Sequence, residues 1–128
     1  MKALLFILFS FSFGYSQTAK NAQDKCKVVA SIVNHEKIIR YLHPESEHRK
    51  TLYLIKNDFC NFSNTVAGIQ VVTVNERELK SKNFMRITSV KESDAGFIIT
   101  IDYPIEGAIF VVQADEYCVI KNVDILEK

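Results

Sequence analysis

The sequence predicts an α+β fold. A long N-terminal helix is expected to pack on one face of a curved, mostly antiparallel sheet that ends in a three- to four-stranded meander. Two stretches carry this prediction. Residues 24–42 place apolar side chains at helical spacing, and residues 97–125 contain three short apolar runs joined by tight turns. Such a helix must bury its single apolar stripe on a sheet, and strands joined by short turns pair as neighbours.

The first 16 residues have the pattern of a cleavable leader. Lys2 precedes an apolar block over residues 3–13 and small residues at Gly14 and Ser16, which predicts cleavage between Ser16 and Gln17. The apolar block of about 11 residues is shorter than the roughly 20 that cross a bilayer. No cysteine directly follows the block, so lipid attachment is not expected. The leader predicts bacterial export to a secreted or periplasmic location, with no stable membrane anchor after cleavage.

Removal of 16 residues from the 128 leaves 112, a length typical of one domain. We expect a flexible polar N-terminus over residues 17–23 and a single α+β domain over residues 24–128. Loss of Lys2 leaves 15 basic and 15 acidic residues, a formal net charge of zero. Without a basic stripe, this balance argues against nucleic acid and against an anionic membrane surface as partners. The expected partner is therefore a protein or a small ligand.

The first predicted element is one helix, capped by Asp24 and ending at Leu42. Pro44 disfavours helical backbone at His43 and so sets the end of the helix. The β-branched run over residues 28–33 would also suit a strand, but the helical pattern continues past it. The apolar stripe comprises Val28, Val29, Ile32, Val33, Ile39 and Leu42.

The rest of the chain is predicted to be mostly strands. A polar loop is expected over residues 57–67. A short exposed helix is expected over residues 76–82, because Asn75 and Glu78 have capping-box spacing and Glu–Lys pairs follow at i,i+4. The predicted strands cover residues 51–56, 68–74, 84–91, 97–103, 108–114 and 117–125.

The chain ends with IDYPIEG, a strand, a tight turn and then YCVIKNVDIL. With a long first helix and a short second helix, this layout resembles that of cystatin-like and nuclear-transport-factor-like small secreted α+β proteins over most of the exported chain. The resemblance implies a helix laid on a sheet. Where such proteins are enzymes, acidic and histidine residues line a deep pocket. The Gln-Val-Val-Ala-Gly hairpin of true cystatins is not met, since its fragments occur here in the wrong order, as Val66-Ala67-Gly68 and Gln70-Val71-Val72.

Three cysteines in an exported chain allow one disulfide. The predicted first helix runs roughly 26 Å and the next strand returns roughly 20 Å, which brings Cys26 and Cys60 to the same edge of the domain. We expect these two to pair and Cys118 to be a buried thiol within the last strand. Three reduced cysteines remain the alternative. A catalytic thiol would need a histidine base that the sequence does not indicate.

Candidate ligand contacts are few. His35 lies in the apolar stripe, where it is either a core-edge residue bonded to backbone or a pocket residue with a tuned pKa. Phe59 and Phe62 lie in the polar loop over residues 57–67, and Tyr103 precedes the Pro104 turn. These four residues are our predicted ligand-binding set.

The remaining polar candidates are interpreted as solvated surface. Asp102 and Glu106 flank the Pro104 turn, where acidic residues usually serve solubility. Asn61 begins a glycosylation pattern that matters only in a eukaryotic secretory route. The charged connector contains two histidines and two glutamates, namely His43, Glu45, Glu47 and His48. They lack strict ligand spacing. We therefore predict no metal, and we also predict no cofactor and no catalytic residue.

Two functions are consistent with these residues. The preferred one is a non-enzymatic secreted or periplasmic binding module. It would use either the sheet face away from the helix or the loop over residues 57–67. The alternative is a small-molecule pocket, with or without catalysis, between the first helix and the sheet. It would need a cavity of roughly 300 Å³, lined by residues such as Ile32, His35, Ile39, Phe97, Ile99 and Tyr103.

Overall fold

The computed structural model describes residues 22–128. The predicted leader and its cleavage after Ser16 lie outside the described residues, as do residues 17–21 of the predicted flexible N-terminus. Within residues 22–128, no helix has both the length and the apolar content needed to cross a membrane.

The N-terminal helical region is two helices, α1 (Ala22–Val33) and α2 (Glu36–Leu42), so the prediction of one continuous helix is wrong. The chain leaves the helical conformation at His35 (φ −73°, ψ 135°), whose Nδ1 accepts the backbone N–H of Lys37 at 3.1 Å. His35 is therefore the N-cap of α2. The break allows each helix to bury its own apolar residues: Val28, Val29, Ile32 and Val33 from α1, and Ile38 and Leu42 from α2.

The predicted end of the helical region is confirmed at Leu42. His43 follows in the left-handed conformation (φ 50°), and its N–H reaches the carbonyl oxygen of Ile39 at 3.3 Å. This αL termination satisfies a carbonyl that the helix would otherwise leave without a partner.

The seven strands form one mixed sheet in the order β2-β3-β1-β4-β5-β6-β7. β1 pairs in parallel with both β3 and β4, and the other four pairings are antiparallel. The predicted α+β class and the terminal four-stranded antiparallel meander, β4 to β7, are confirmed. The strands are β1 (Thr51–Ile55), β2 (Asn64–Val66), β3 (Ile69–Val74), β4 (Phe84–Ser93), β5 (Gly96–Tyr103), β6 (Ala108–Asp115) and β7 (Ile120–Glu127).

Two local predictions between β1 and β4 are wrong. The predicted polar loop contains β2, which pairs with β3. The predicted helix over residues 76–82 is a single 3₁₀ turn, Glu76–Glu78. Asn75 makes no side-chain cap there, because its Nδ2 donates to Glu78 Oε1 at 3.1 Å. The capping box therefore never forms, and the turn ends without extending into a helix.

The last turn is longer than predicted, and β7 begins at Ile120. Asp115 Oδ1 accepts the N–H groups of Tyr117 and Val119 at 2.9 and 3.1 Å, which organises the turn. Cys118 lies in this turn with φ 65° and is half-buried. The prediction of a buried thiol within the last strand is therefore wrong.

The Cys26–Cys60 disulfide is present, with the Cα atoms 5.3 Å apart. It joins α1 to the segment after β1. Asn57 holds the same segment, because its Oδ1 accepts the N–H groups of Phe59 and Cys60, each at 2.8 Å. The sequence separation of 34 implies a contribution of about 3–4 kcal/mol to stability by restriction of the unfolded chain.

The core lies between the helices and one face of the sheet. Alternate residues of β5 (Phe97, Ile99 and Ile101) are buried, and the residues between them point to the other face. The interface proposed as a small-molecule pocket is packed, since Ile32, Ile99 and Tyr103 are at most 1% exposed. The helices therefore cover one face of the sheet and leave the other uncovered.

Candidate functional site

The open face is the side of the sheet that points away from the helices. On β5 its residues include Ile98, which is 40% exposed, and on β7 they include Leu126, which is 54% exposed. The strand registers align its residues across the meander. One row contains Ile98 and Gln113, the next contains Thr100 and Val111, and the third contains Asp102 and Ile109. The apolar residues of the open face include Tyr53, Val72, Phe84, Ile98, Ile109, Val111 and Leu126.

Charged side chains flank the apolar centre of the open face. Lys91 is exposed on β4, and Asp124 is exposed on β7. Neither has an ion-pair partner within residues 22–128. Arg86, also on β4, pairs with Glu76 and lies over the Phe84 ring, 5.5 Å from its centroid. Opposite uncompensated charges therefore lie on the two outer strands of the meander.

Asp102 lies on the open face between these charges. Its Oδ1 is buried and 2.9 Å from Lys128 Nζ, an ionic contact without hydrogen-bond geometry. Glu106, the other acid flanking the Pro104 turn, pairs instead with Arg49 on the helix side. The two acids flanking the turn have separate partners and do not form a joint site.

The two edges of the sheet are poorly suited to strand addition. Lys37 Nζ donates to the carbonyl oxygen of Val123 at 3.2 Å, which blocks the middle of the β7 edge. At the other edge, β2 has only three residues, and the N–H of Thr65 donates to Asn64 Oδ1 at 2.8 Å. Short strands and lysine side chains are typical protections against edge pairing. The accessible surface of the sheet is consequently its face.

A cleft of about 360 Å³ lies at one end of the open face, lined by residues that include Lys91, Ile98, Gln113 and Lys121. Gly96 permits the close strand contact at its base, because a Cβ at this position would lie 2.1 Å from the carbonyl oxygen of Ala114. The open face is thus continuous with a concave end that has lysines on its walls.

Asp115 also lines this cleft. Hydrogen bonds from backbone N–H groups, the largest from Val119, and the nearby Lys121 lower the pKa of the Asp115 carboxyl. Its carboxylate is committed to holding the β6–β7 turn and to Lys121, 3.5 Å away. Its role is therefore to shape the end of the open face.

Tyr103 is fully buried and belongs to an internal polar network. Its hydroxyl donates to Asn83 Oδ1, and Arg49 Nη1 lies 3.4 Å from the same hydroxyl. Arg49 Nη2 in turn donates to Glu106 Oε2 at 2.7 Å, while Asn83 Nδ2 donates to the carbonyl oxygen of Thr51 at 2.8 Å. Burial raises the pKa of Tyr103 to about 12. The network ties β5 to β1 and leaves the Tyr103 hydroxyl inaccessible to a ligand.

The other three predicted ligand contacts do not converge on one site. His35 is half-buried and committed to capping α2. Phe59 is in the core, edge-to-face with Phe97 at 5.3 Å between ring centroids. Phe62 is half-buried and lines a separate cleft of about 310 Å³ beside α1 and β2. Phe59 is therefore not exposed for a partner that binds the loop over residues 57–67. A ligand role for His35, Phe59 and Phe62 stays a prediction.

The charged connector interacts with the Pro104 turn through His43. Its Nδ1 is 3.3 Å from Glu45 Oε2, and its Nε2 is 3.7 Å from Glu106 Oε2. Within residues 22–128, no group of three or more histidine, cysteine or acidic side chains is arranged to hold a metal ion. These contacts link the end of α2 to the end of β5, and they are structural.

Sequence reasoning named the sheet face but not the residues that define it. Lys91 could have been assigned to this face only with the strand register, because a bulge between Ile87 and Ser89 shifts the alternation along β4. Arg49 was missed because its partner Glu106 lies 57 residues away.

Comparison of the chain with protein-family models, curated proteins and solved structures found no match.

Proposed function

We propose that this chain is a secreted or periplasmic, non-enzymatic binding module that contacts its partner through the open face of its sheet. The observation that carries the proposal is the apolar, uncovered face with Ile98 and Leu126 exposed at its centre and rim. Exposed apolar area of this kind, rimmed by polar residues, is typical of interaction surfaces.

The packing on the other side supports the open face over a pocket under the helices. Ile32, Ile99 and Tyr103 fill the helix–sheet interface, and none of them lines the clefts of about 360, 300 and 310 Å³ among residues 22–128. This packing favours the open face over a small-molecule pocket at the helix–sheet interface.

The polar contacts support binding rather than catalysis. Glu106 is in contact with Arg49 and His43, and Glu45 is beside His43, so these side chains hold the connector and the Pro104 turn together. The Cys26–Cys60 disulfide supports export, because such bonds persist mainly in oxidising compartments.

A photo-crosslinking amino acid placed on the open face tests the proposal. The full-length chain, with its own leader, would carry the crosslinker at Ile98, or at Val119 as the matched control. Val119 is also exposed (51%) but lies in the β6–β7 turn, outside the open face. We expect covalent protein adducts in the exported fraction from position 98 and few from position 119. Equal yields at the two positions, or none from position 98, would contradict the proposal.

A further inference from the structure

We infer that the occupant of the open face is a second copy of this chain, packed face to face about a two-fold axis that runs parallel to the strands between β5 and β6. The inference rests on the proposed function, because it names the partner of the same surface. It depends on the distribution of charge across the meander, the strand register and the protection of both sheet edges.

The charges on the open face have a pattern that is complementary to itself. The uncompensated cation Lys91 lies on β4, and the uncompensated anion Asp124 lies on β7 at the opposite side of the meander. The other charged groups of the meander face are already paired: Arg86 with Glu76, Asp102 with Lys128 and Asp115 with Lys121. A partner surface with an anion opposite β4 and a cation opposite β7 would complement this pattern.

A second copy provides this complement through one symmetry operation. Rotation by 180° about an axis along the strands reverses the strand order and keeps the strand direction. β4 of one copy then lies opposite β7 of the other, and β5 lies opposite β6. A two-fold interface makes every contact twice, so in both halves the strand with Lys91 lies opposite the strand with Asp124 of the other copy.

The register places the two charges within reach of each other. Asp124 is in the row of Val111, Thr100 and Ser89, whereas Lys91 is in the next row, with Ile98. One row corresponds to about 7 Å along the strands, and packed sheets lie about 10 Å apart. The long lysine side chain can span this offset, so an intermolecular ion pair forms without distortion of either sheet.

The same rotation places apolar and neutral residues at the centre. Thr100 of one copy faces Val111 of the other, and Ile98 faces Gln113, because each pair shares a row. Asp102 enters the interface already paired with Lys128, so its charge is not left uncompensated when water is excluded. The interface therefore has neutral residues and the already paired Asp102 on its two central strands, with the unpaired charges on the outer strands.

The geometry also sets the strength of the association. Four strands of about eight residues cover roughly 19 by 27 Å, or about 500 Å² for each copy. Standard stable interfaces bury about 800 Å² from each partner, and smaller ones are weak or transient. We therefore expect a dimer that forms and dissociates with concentration rather than an obligate one.

Sedimentation of the exported protein over a range of concentrations tests the inference. We expect the wild type to shift from monomer to dimer as concentration rises. Lys91→Glu and Asp124→Lys each replace an attraction with a repulsion at two symmetric sites, so each should raise the dissociation constant about tenfold. The double variant Lys91→Glu/Asp124→Lys restores opposite charges and should recover most of the affinity. Both residues are exposed, and unchanged thermal unfolding would verify that the variants fold.

Two results would overturn the inference: a wild type that stays monomeric at every concentration, or a double variant that associates no better than the single variants. The crosslinker at position 98 separates this failure from failure of the proposed function. An adduct with a different protein would refute the second copy and leave the open face as a binding surface. No adduct of any kind would refute both.

Discussion

Replacement of Tyr103 by phenylalanine tests the internal network that fixes the end of β5. The ring of Tyr103 packs against Phe110, with centroids 5.9 Å apart, and phenylalanine preserves that packing. Only the hydroxyl is lost, and this hydroxyl is the group that donates to Asn83 Oδ1. Asn83 is only 2% exposed, so its Oδ1 is left as a buried acceptor without that donor. An unsatisfied buried acceptor costs about 1–3 kcal/mol, and we expect Tyr103→Phe to lower the free energy of unfolding by that amount.

Tyr41 provides a matched control. Its hydroxyl donates to Glu127 Oε2 at 2.8 Å, in an exposed contact, so Tyr41→Phe removes the same atom from a site that water can reach. We expect that variant to change stability by less than about 1 kcal/mol, as for other exposed polar pairs. Urea titration would measure both variants, and unchanged m-values would show that the same surface is exposed on unfolding.

The pH dependence of the Tyr103→Phe effect gives a second measurement. The folded-state pKa of Tyr103 is raised from 10.0 to about 12, so the folded protein holds this proton more tightly than the unfolded chain. The stabilisation is fully present below pH 10 and is lost as the pH rises toward 12. The stability difference between wild type and Tyr103→Phe should therefore narrow over that window. A Tyr103→Phe effect no larger than that of Tyr41→Phe, or one constant up to pH 12, would refute this account of the network.

Three further predictions concern the scaffold. Replacing both Cys26 and Cys60 by alanine should lower stability by about 3–4 kcal/mol, and calorimetry that showed no change would contradict the role of the bridge. Gly96→Ala should destabilise the protein more than Gly68→Ala. Both glycines have positive φ, but only at Gly96 would the new Cβ meet backbone, at 2.1 Å. Equal losses of unfolding free energy in urea titration would contradict that contact. Lys37→Ala removes the hydrogen bond that blocks the β7 edge and should therefore increase aggregation, measured by light scattering. No increase in scattering would show that the edge is protected by other means.

The parts of the fold that depend on local alternation could be predicted from the sequence. The buried positions of β5 alternate with polar or outward ones, and the Pro104 turn separates β5 from β6. The disulfide could also be predicted, because the lengths of the intervening elements bring Cys26 and Cys60 to one edge.

The parts that depend on tertiary context could not be predicted. The apolar stripe runs through the break between α1 and α2, so only the capping geometry at His35 shows where the chain bends. β2 forms by pairing with the edge of β3. Its three residues carry too little sequence pattern for the strand to be predicted on its own. The open face needed the bulge in β4 to be known before Lys91 could be assigned to it.

The native mass of the exported protein tests the central claim most directly, with Leu126→Asn and Val119→Asn measured beside the wild type. The two positions are 54% and 51% exposed, and only Leu126 lies on the open face. If the open face is the binding surface, the wild type and Val119→Asn should both occur as a complex heavier than the monomer, and Leu126→Asn should weaken that complex. A wild type found only as a bare monomer at every concentration, or a complex equally stable in all three proteins, would contradict the claim.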